Sequence, residues 1–597
     1  MTRRVGAFPL SGETTRFCVW APWSTRVEVR LGAGAPIGLE SRGDGYHAAD
    51  LDGCPVGTRY RFILDTEHEL PDPASRSQPD GVHGPSEVID LGQHRWADVG
   101  YRPRPLWQFV ISEIHTGTFS GAGTFDAAMD ELDELVAVGI NAVEIMPVAQ
   151  FPGRRNWGYD GAFPFAVQNS YGGAAGLQRL VDACHQRGLA AILDVVYNHL
   201  GPEGNVLGTF GPYFTDRYRT PWGPAVNFDG PDSDEVRSYF LDNARQWFSD
   251  FHFDALRLDA VHEIIDRTAT PFLAALSRQS ATLSEALGRP CHLLAESADN
   301  DPRVVTTTAA GGLGMDAQWN DDFHHALHTS LTTERSGYYA DYTGPDDLAR
   351  AMDEGFVYQG QHSTFRQSAH GAPSNMVAPE RFVLFAQNHD QIGNRPGGDR
   401  LVTLVSTEQA RLAAAVLLLS PGLPLLFMGE EYGETAPFPY FIDHGDPALT
   451  EAVLAGRARE FAPLAEPGHP LDASAEATFE AAKLDRSRRA KPEHAALWEL
   501  HRDLIALRGA VPALQRSARS EARAWASGGV VTLRRAHEHG NVVALFNFSE
   551  RPAEGRLPQA AMWIDLLAPD TAARVADAAV ALGPWGFGVY RDVSPAS

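Results

Sequence analysis

FVISEIHTGTFSGAGTFDAAMDELDELVAVGINAVEIMPV, residues 109–148, reads as one strand–helix–strand unit. FVISEI (109–114) and NAVEIM (141–146) are short apolar, β-rich runs, and FDAAMDELDELVAVG between them spaces its apolar side chains as an amphipathic helix does. The alternation continues along the chain. Further runs are AAILDVV (190–196), FDALRL (253–258), HLLAE (292–296), MDAQW (315–319), FVLFAQ (382–387) and PLLFMG (424–429). Amphipathic stretches such as LQRLVDACHQRG and VRSYFLDNARQWFSDF lie between them. Eight such repeats imply an α/β fold, a parallel (β/α)8 TIM barrel. Leu497, Leu500, Leu504 and Leu507 share one helical face and suit a closing helix.

Outward from this core, the chain divides into three zones. Residues 1–104 contain the alternating runs TRFCVWAP, RVEVRL and TRYRFIL and end in the Pro/Gly-rich stretch LPDPASRSQPDGVHGPS. They read as an N-terminal β-sandwich followed by a linker or clamp. Residues 105–515 hold the barrel with loop insertions, among them the long connection 430–495. Residues 516–597 return to strands (VVTLRR, VVALFNF, FGVYRD) and read as a C-terminal β-sandwich.

Composition narrows the function classes. Lys and Arg number 50 against 76 Asp and Glu, a net charge of −26 in 597 residues. Nucleic acid and anionic membrane both reward clustered basic residues, so neither is expected as a partner. Cys18, Cys54, Cys184 and Cys291 show no metal-finger or redox spacing and are expected as buried free thiols. MTRRVGAFPLSGETTRF lacks the apolar core of a secretory signal, and no apolar run reaches ~18 residues. The expected compartment is the cytoplasm.

In a (β/α)8 barrel the chemistry sits at the C-terminal strand ends. The third run ends in DVVYNH (Asp194 to His199), and the fourth in LRLDAVH with Arg257, Asp259 and His262. The fifth ends at Glu296, and the seventh in QNHDQIGNR with Asn388, His389, Asp390 and Arg395. Singly, a strand-end Asp is most often a helix N-cap. Jointly, Asp259, Glu296 and Asp390 stand on three strands and converge on one mouth. Glycoside hydrolysis needs a nucleophilic or basic carboxylate and a carboxylic acid that donates a proton. Arg257 shares a strand face with Asp259 and would orient it. His199 and His389 can donate to sugar hydroxyls, and Asp194 reads as structural support.

DVVYNH, LRLDAVH, LLAES and QNHD resemble, in order and position, the four signature segments of the α-amylase superfamily of glycoside hydrolases. The resemblance implies that Asp259 is the nucleophile, Glu296 the general acid/base and Asp390 the carboxylate that binds ring hydroxyls. It also implies retention of the α configuration, with the carboxyl groups ~5–5.5 Å apart. GRRNWGYDGAFPFAVQNSYGG, GPYFTDRYRTPWGPAVNFDG, QWNDDFHHALH and AQNHDQIGNRPGGDR narrow the likeness. They resemble the malto-oligosyltrehalose trehalohydrolase family, whose members cut the α-1,4 bond beside a terminal trehalose unit. The implied partners are malto-oligosyltrehalose and related α-glucans, with a malto-oligosyltrehalose synthase as metabolic neighbour. The alternative within the superfamily is a glycogen branching or debranching enzyme, and a non-catalytic glycan-binding barrel would have to lack part of the trio.

The same resemblance makes Tyr159 in NWGYD the aromatic that stacks on the sugar beside the cut bond. Asn320, Asp321 and Asp322 in QWNDDFHH either reach sugar hydroxyls or cap a helix. Trp222 and the run Phe438 to Phe441 either recognise trehalose or pack loops. The N-terminal sandwich, similar to immunoglobulin-like carbohydrate-binding modules, either binds glycan or packs on the barrel. Some superfamily members bind calcium through an Asn placed like Asn198, but the loop here has no carboxylate-rich cage. His324, His325 and His328 do not form a convincing ligand set. No cofactor and no required metal are expected.

Overall fold

Eight parallel strands close into a barrel in which neighbours follow chain order. They are β1 (Ile111–Ile114), β2 (Ala142–Ile145), β3 (Ala190–Val195) and β4 (Ala255–Leu258). β5 (His292–Ala295), β6 (Ala317–Trp319), β7 (Phe382–Phe385) and β8 (Leu423–Phe427) follow, and β8 pairs back onto β1. Seven lie within the runs that the sequence singles out, and β8 begins one residue before its run. Because both faces of each strand are covered, the runs are apolar rather than alternating. The computed structural model describes residues 4–461, 471–516, 521–558, 563–567 and 579–592.

Inside the barrel, Ala142, Ala190, Ala255 and Ala317 leave room for the bulk of Trp319 and Phe385. Outside it lie α1 (Leu132–Val138), α2 (Gly173–Gln186), α3 (Ser233–Ser249) and α4 (Phe272–Leu287). The ring continues with α5 (Asp321–Leu331), the short α6 (His389–Gly393), α7 (Thr407–Leu419) and the closing α8 (Pro492–Ala510). Leu497, Leu500 and Leu504 of α8 are buried, with Leu507 packed at the edge of the core. Gly139 ends α1 at φ 102°, where a Cβ would come 2.7 Å from Ile505 of α8. Only glycine allows both the left-handed cap and that approach.

One repeat departs from strict alternation. Between β5 and β6 the chain makes only a 3-10 turn at Thr308–Ala310, with no α-helix. Gly311 and Gly314 follow at φ 86° and 79°, and a Cβ on Gly312 would fall 2.2 Å from the Thr306 carbonyl oxygen. Three glycines within four residues disfavour a helix there.

Before the barrel, one sheet contains Gly6–Pro9, Thr14–Trp20, Tyr46–Asp52 and Glu40–Gly43, and a second is built around Val27–Leu31 and Arg59–Leu64. After it, Ala522–Ser527, Val530–Arg535, Val542–Asn547, Phe587–Asp592 and Trp563–Asp565 form a five-stranded sheet. The N-terminal sheets share a core with the barrel. Trp20 meets Tyr213 edge to face at 5.3 Å, Phe62 meets Phe210 at 6.4 Å, and Tyr239 of α3 donates to the Pro73 carbonyl at 2.7 Å.

The following segment straps the N-terminal end of the barrel. Asp98 lies 3.0 Å from His185 Nδ1 and 2.8 Å from His252 Nδ1, and His185 Nε2 lies 3.1 Å from Asp254. Tyr101 stacks on His185 and Trp96 on His252. All four cysteines are buried. Among the described residues no helix is long and apolar enough to cross a membrane.

Candidate active site

Interior positions alternate along each strand, so the last inward residue of β3, β4 and β5 faces the mouth. Asp194 ends the inward row of β3. Arg257 is inward on β4, with Asp259 one repeat beyond it, and Glu296 directly follows β5. Arg257 is fully buried, and its guanidinium is the centre of the cluster. Nη1 lies 3.0 and 2.9 Å from the Asp194 oxygens and 2.9 Å from Asp259 Oδ1, while Nη2 lies 3.5 Å from Glu296 Oε2. Burial works against its charge, but Asp194, Tyr159, Glu296 and Asp259 raise its pKa well above the ordinary guanidinium value.

The carboxyl groups around it differ in environment. Asp259 Oδ2 accepts from Asn198 Nδ2 at 2.7 Å, so Asn198 and Arg257 fix both of its oxygens. Glu296 accepts from the Ala260 backbone N–H at 2.5 Å, and burial raises its pKa against the pull of Arg257. Burial also pushes Asp194 upward. Its oxygens nevertheless accept from Arg257 and from the Tyr159 hydroxyl at 2.7 Å, which suits the carboxylate. Asp390 begins α6 with a side chain 40% exposed to the mouth. Asp321 begins α5; burial, then Glu296 and Asp390, push its carboxyl up to about 8.

Tyr159 connects the two halves of the mouth. Its hydroxyl also lies 2.8 Å from His389 Nε2, and its ring stacks against that imidazole. Across the ring, His389 Nδ1 meets Glu113 of β1. His199 contacts the Asn198 side-chain carbonyl through Nδ1 and the Tyr159 carbonyl through Nε2. Trp222, 51% exposed, stacks on His199 at 4.4 Å. His262 Nδ1 accepts from the Ala298 N–H at 3.4 Å beside Glu296.

Four residues expected at the sugar are committed elsewhere. Asn320 caps α5, accepting from the Phe323 N–H and donating to the Gly355 carbonyl. Asp322 is buried and accepts from Asn300, Tyr342 and the Val357 and Tyr358 backbones. Asn388 is buried as the N-cap of α6 in a capping box with Gln391. Arg395 forms a two-pronged ion pair with Glu334 at 2.9 and 2.8 Å. Although burial opposes it, His328 and Arg395 hold the Glu334 carboxyl down to about 2. The caps use the side-chain oxygens of Asn320 and Asn388, and the ion pair uses both Nη atoms of Arg395.

Asn198 gives its amide to Asp259 and its carbonyl oxygen to His199, an arrangement that does not fit a calcium ligand. His324 is held between the Ala386 carbonyl and the Tyr339 hydroxyl, and His328 by Glu334. Among the described residues no three His, Cys, Asp or Glu side chains are grouped to hold a metal. Sequence reasoning missed Asn198 as a partner of Asp259, and it missed Glu113 and Glu144 inside the barrel. The signal for the glutamates is a charged residue within each of two buried strands, ISEI and AVEI.

The α-amylase catalytic-domain family model matches residues 77–210. The chain is 42% identical over 595 residues to a malto-oligosyltrehalose trehalohydrolase of Rhizobium sp. (strain M-11), covering 98% of this chain and 99% of that protein. It is 45% identical over 477 residues to the protein of the same name from Saccharolobus solfataricus, covering 80% and 83% of the two chains. A crystal structure of a putative α-amylase from Salmonella typhimurium matches with a TM-score of 0.90 at 36% identity, covering 99% of this chain and 100% of that one.

Proposed function

Because the chain belongs to the malto-oligosyltrehalose trehalohydrolase family of α-amylase-type glycoside hydrolases, we propose that its barrel mouth releases trehalose from malto-oligosyltrehalose. The bond cleaved is the α-1,4 link between the glucan and its terminal α,α-trehalose unit, and the second product is a malto-oligosaccharide. The observation that carries this reading is the arrangement of Asp259 and Glu296 around the Arg257 guanidinium.

In this scheme Asp259, oriented by Arg257 and Asn198, attacks the anomeric carbon of the last glucan residue. The C1–O bond breaks as Glu296, kept protonated by burial, gives its proton to the departing trehalose oxygen. Water then enters, Glu296 takes one of its protons, and the hydroxyl displaces the Asp259 carboxylate from C1. Two displacements at one carbon retain the α configuration. Asp390 holds ring hydroxyls, Tyr159 lies under the sugar with the His389 charge beside it, and Trp222 on His199 extends the surface. Asp321 and His262 supply further polar contacts. The N-terminal sandwich packs on the barrel and shapes the cleft. The substrate requires a synthase that caps malto-oligosaccharides with trehalose, and we place both steps in the cytoplasm.

The test is product analysis on a trehalose-capped malto-oligosaccharide and on a plain one of similar length. Rapid release of free trehalose from the first, with little cleavage of the second, is the expected result. Equal cleavage of both, or new α-1,6 branches, would replace the trehalose reading with another activity of the superfamily.

A further inference from the structure

Glu113 of β1 has no part in that scheme, yet its side chain is 1% exposed at the floor of the mouth. It pairs in register with Glu144 of β2, so two carboxyl groups lie side by side on the interior face. Their surroundings separate them. Both Glu144 oxygens are buried with no hydrogen-bond partner, and burial, reinforced by Glu113, raises its pKa well above the usual carboxylate range. Glu113 instead accepts twice from His389, from the backbone N–H at 3.1 Å and from Nδ1 at 2.5 Å.

These contacts place the protons. A carboxylate only accepts, so Nδ1 carries hydrogen. On the other edge of the ring, Nε2 lies 2.8 Å from the Tyr159 oxygen and 3.4 Å from Asp390 Oδ1. Tyr159 gives its own proton to Asp194, so its oxygen receives one from Nε2. We propose that Glu113 is a positioning residue for hydrolysis, fixing His389 as a doubly protonated ring whose Nε2–H is held by the Tyr159 oxygen beside Asp390. This rests on the glycosidase reading above. A ring held this way orients Tyr159 and carries positive charge beside the carboxylates of the mouth.

The groups facing the ring are Glu113 from β1, Glu144 from β2, Asp194 from β3, Arg257 from β4 and Asp390 from α6, with His115 behind. Burial and Arg257 oppose the charge, but Asp390 and Glu113 outweigh them and push the imidazole up to about 9.

The experiment measures kcat/KM against pH for the full chain and for Glu113→Gln and Glu113→Asp. Each is made in the natural background and with His389→Asn. The readout is cleavage of whichever α-1,4-glucan the natural chain cleaves. Absence of trehalose from that chain's products therefore counts against the substrate reading alone. Glu113→Gln is expected to move the alkaline limb down by about one pH unit or more, as the ring returns toward its ordinary value of about 6.5. Glu113→Asp, which keeps the charge, is expected to restore much of the limb. With His389→Asn in place, Glu113→Gln should move it no further. An unmoved limb in Glu113→Gln, equal displacement by Asp and Gln, or the same displacement without His389 would overturn the proposal. If Glu113→Gln does not fold, a natural alkaline limb in His389→Asn overturns it equally.

Discussion

The Arg257 guanidinium lies 4.2 Å from the centre of the Trp319 ring. The indole takes the face of the cation, while Asp194, Asp259 and Glu296 take its edge. An ammonium cannot satisfy three carboxyl groups and a ring from one position. Arg257→Lys is therefore expected to lower kcat/KM by about 100-fold or more, because a small misplacement of the nucleophile has that cost. Steady-state kinetics on the folded variant checks this, and retained activity would show that a bare charge is enough.

Asp259→Asn keeps the shape of the side chain and removes the attacking carboxylate. Turnover should fall by at least about 10³-fold with the fold intact. Circular dichroism alongside trehalose release separates loss of chemistry from loss of structure. An equally active variant would remove the covalent mechanism.

Glu296 donates a proton first, and its pKa is raised by burial. The protonated fraction, and with it the glycosylation step, declines as pH rises through that raised value. Glu296→Gln should lose most of its activity, and the alkaline dependence that remains should be that of His389. A substrate with a good leaving group, which needs no proton, should recover the first step as a burst of product.

The strap at the N-terminal end of the barrel predicts a stability change with pH. Burial disfavours charge on His185, but Asp254 and Asp98 raise its pKa overall. Its contribution is therefore complete below the unfolded value of about 6.5 and is lost as pH rises through the folded value. Asp98→Asn should lower the unfolding temperature most near pH 6 and progressively less in alkaline solution. A deficit that grows with pH would contradict the arrangement.

With the Asn198 oxygen engaged by His199, dialysis against EDTA should leave activity unchanged. Loss that calcium restores would show that the loop rearranges to bind the ion.

Much of this was legible in the sequence because it follows from periodicity. The eight buried strands appear as apolar runs, and Asp259 and Glu296 stand where those runs end. Strand–helix periodicity does not reveal that the connection before β6 lacks a helix, although Gly311, Gly312 and Gly314 encode it. Asn320, Asp322 and Asn388 show a deeper ambiguity. A polar residue between a strand and a helix has the same appearance whether it caps the helix or faces a ligand, and only the neighbouring N–H groups decide. Arg395 depends on Glu334, sixty-one positions away, a pairing that no local pattern reveals.

The contact of the N-terminal sheets with Phe210, Tyr213 and Tyr239 has a consequence for protein engineering. These aromatics flank the excursion that carries Trp222, so the upstream module acts as a template against which one rim of the cleft is cast. Grafting that module from another member of the superfamily would alter substrate selection without touching a catalytic side chain. Shuffling experiments should therefore move the module and the 203–240 segment together as one inherited block.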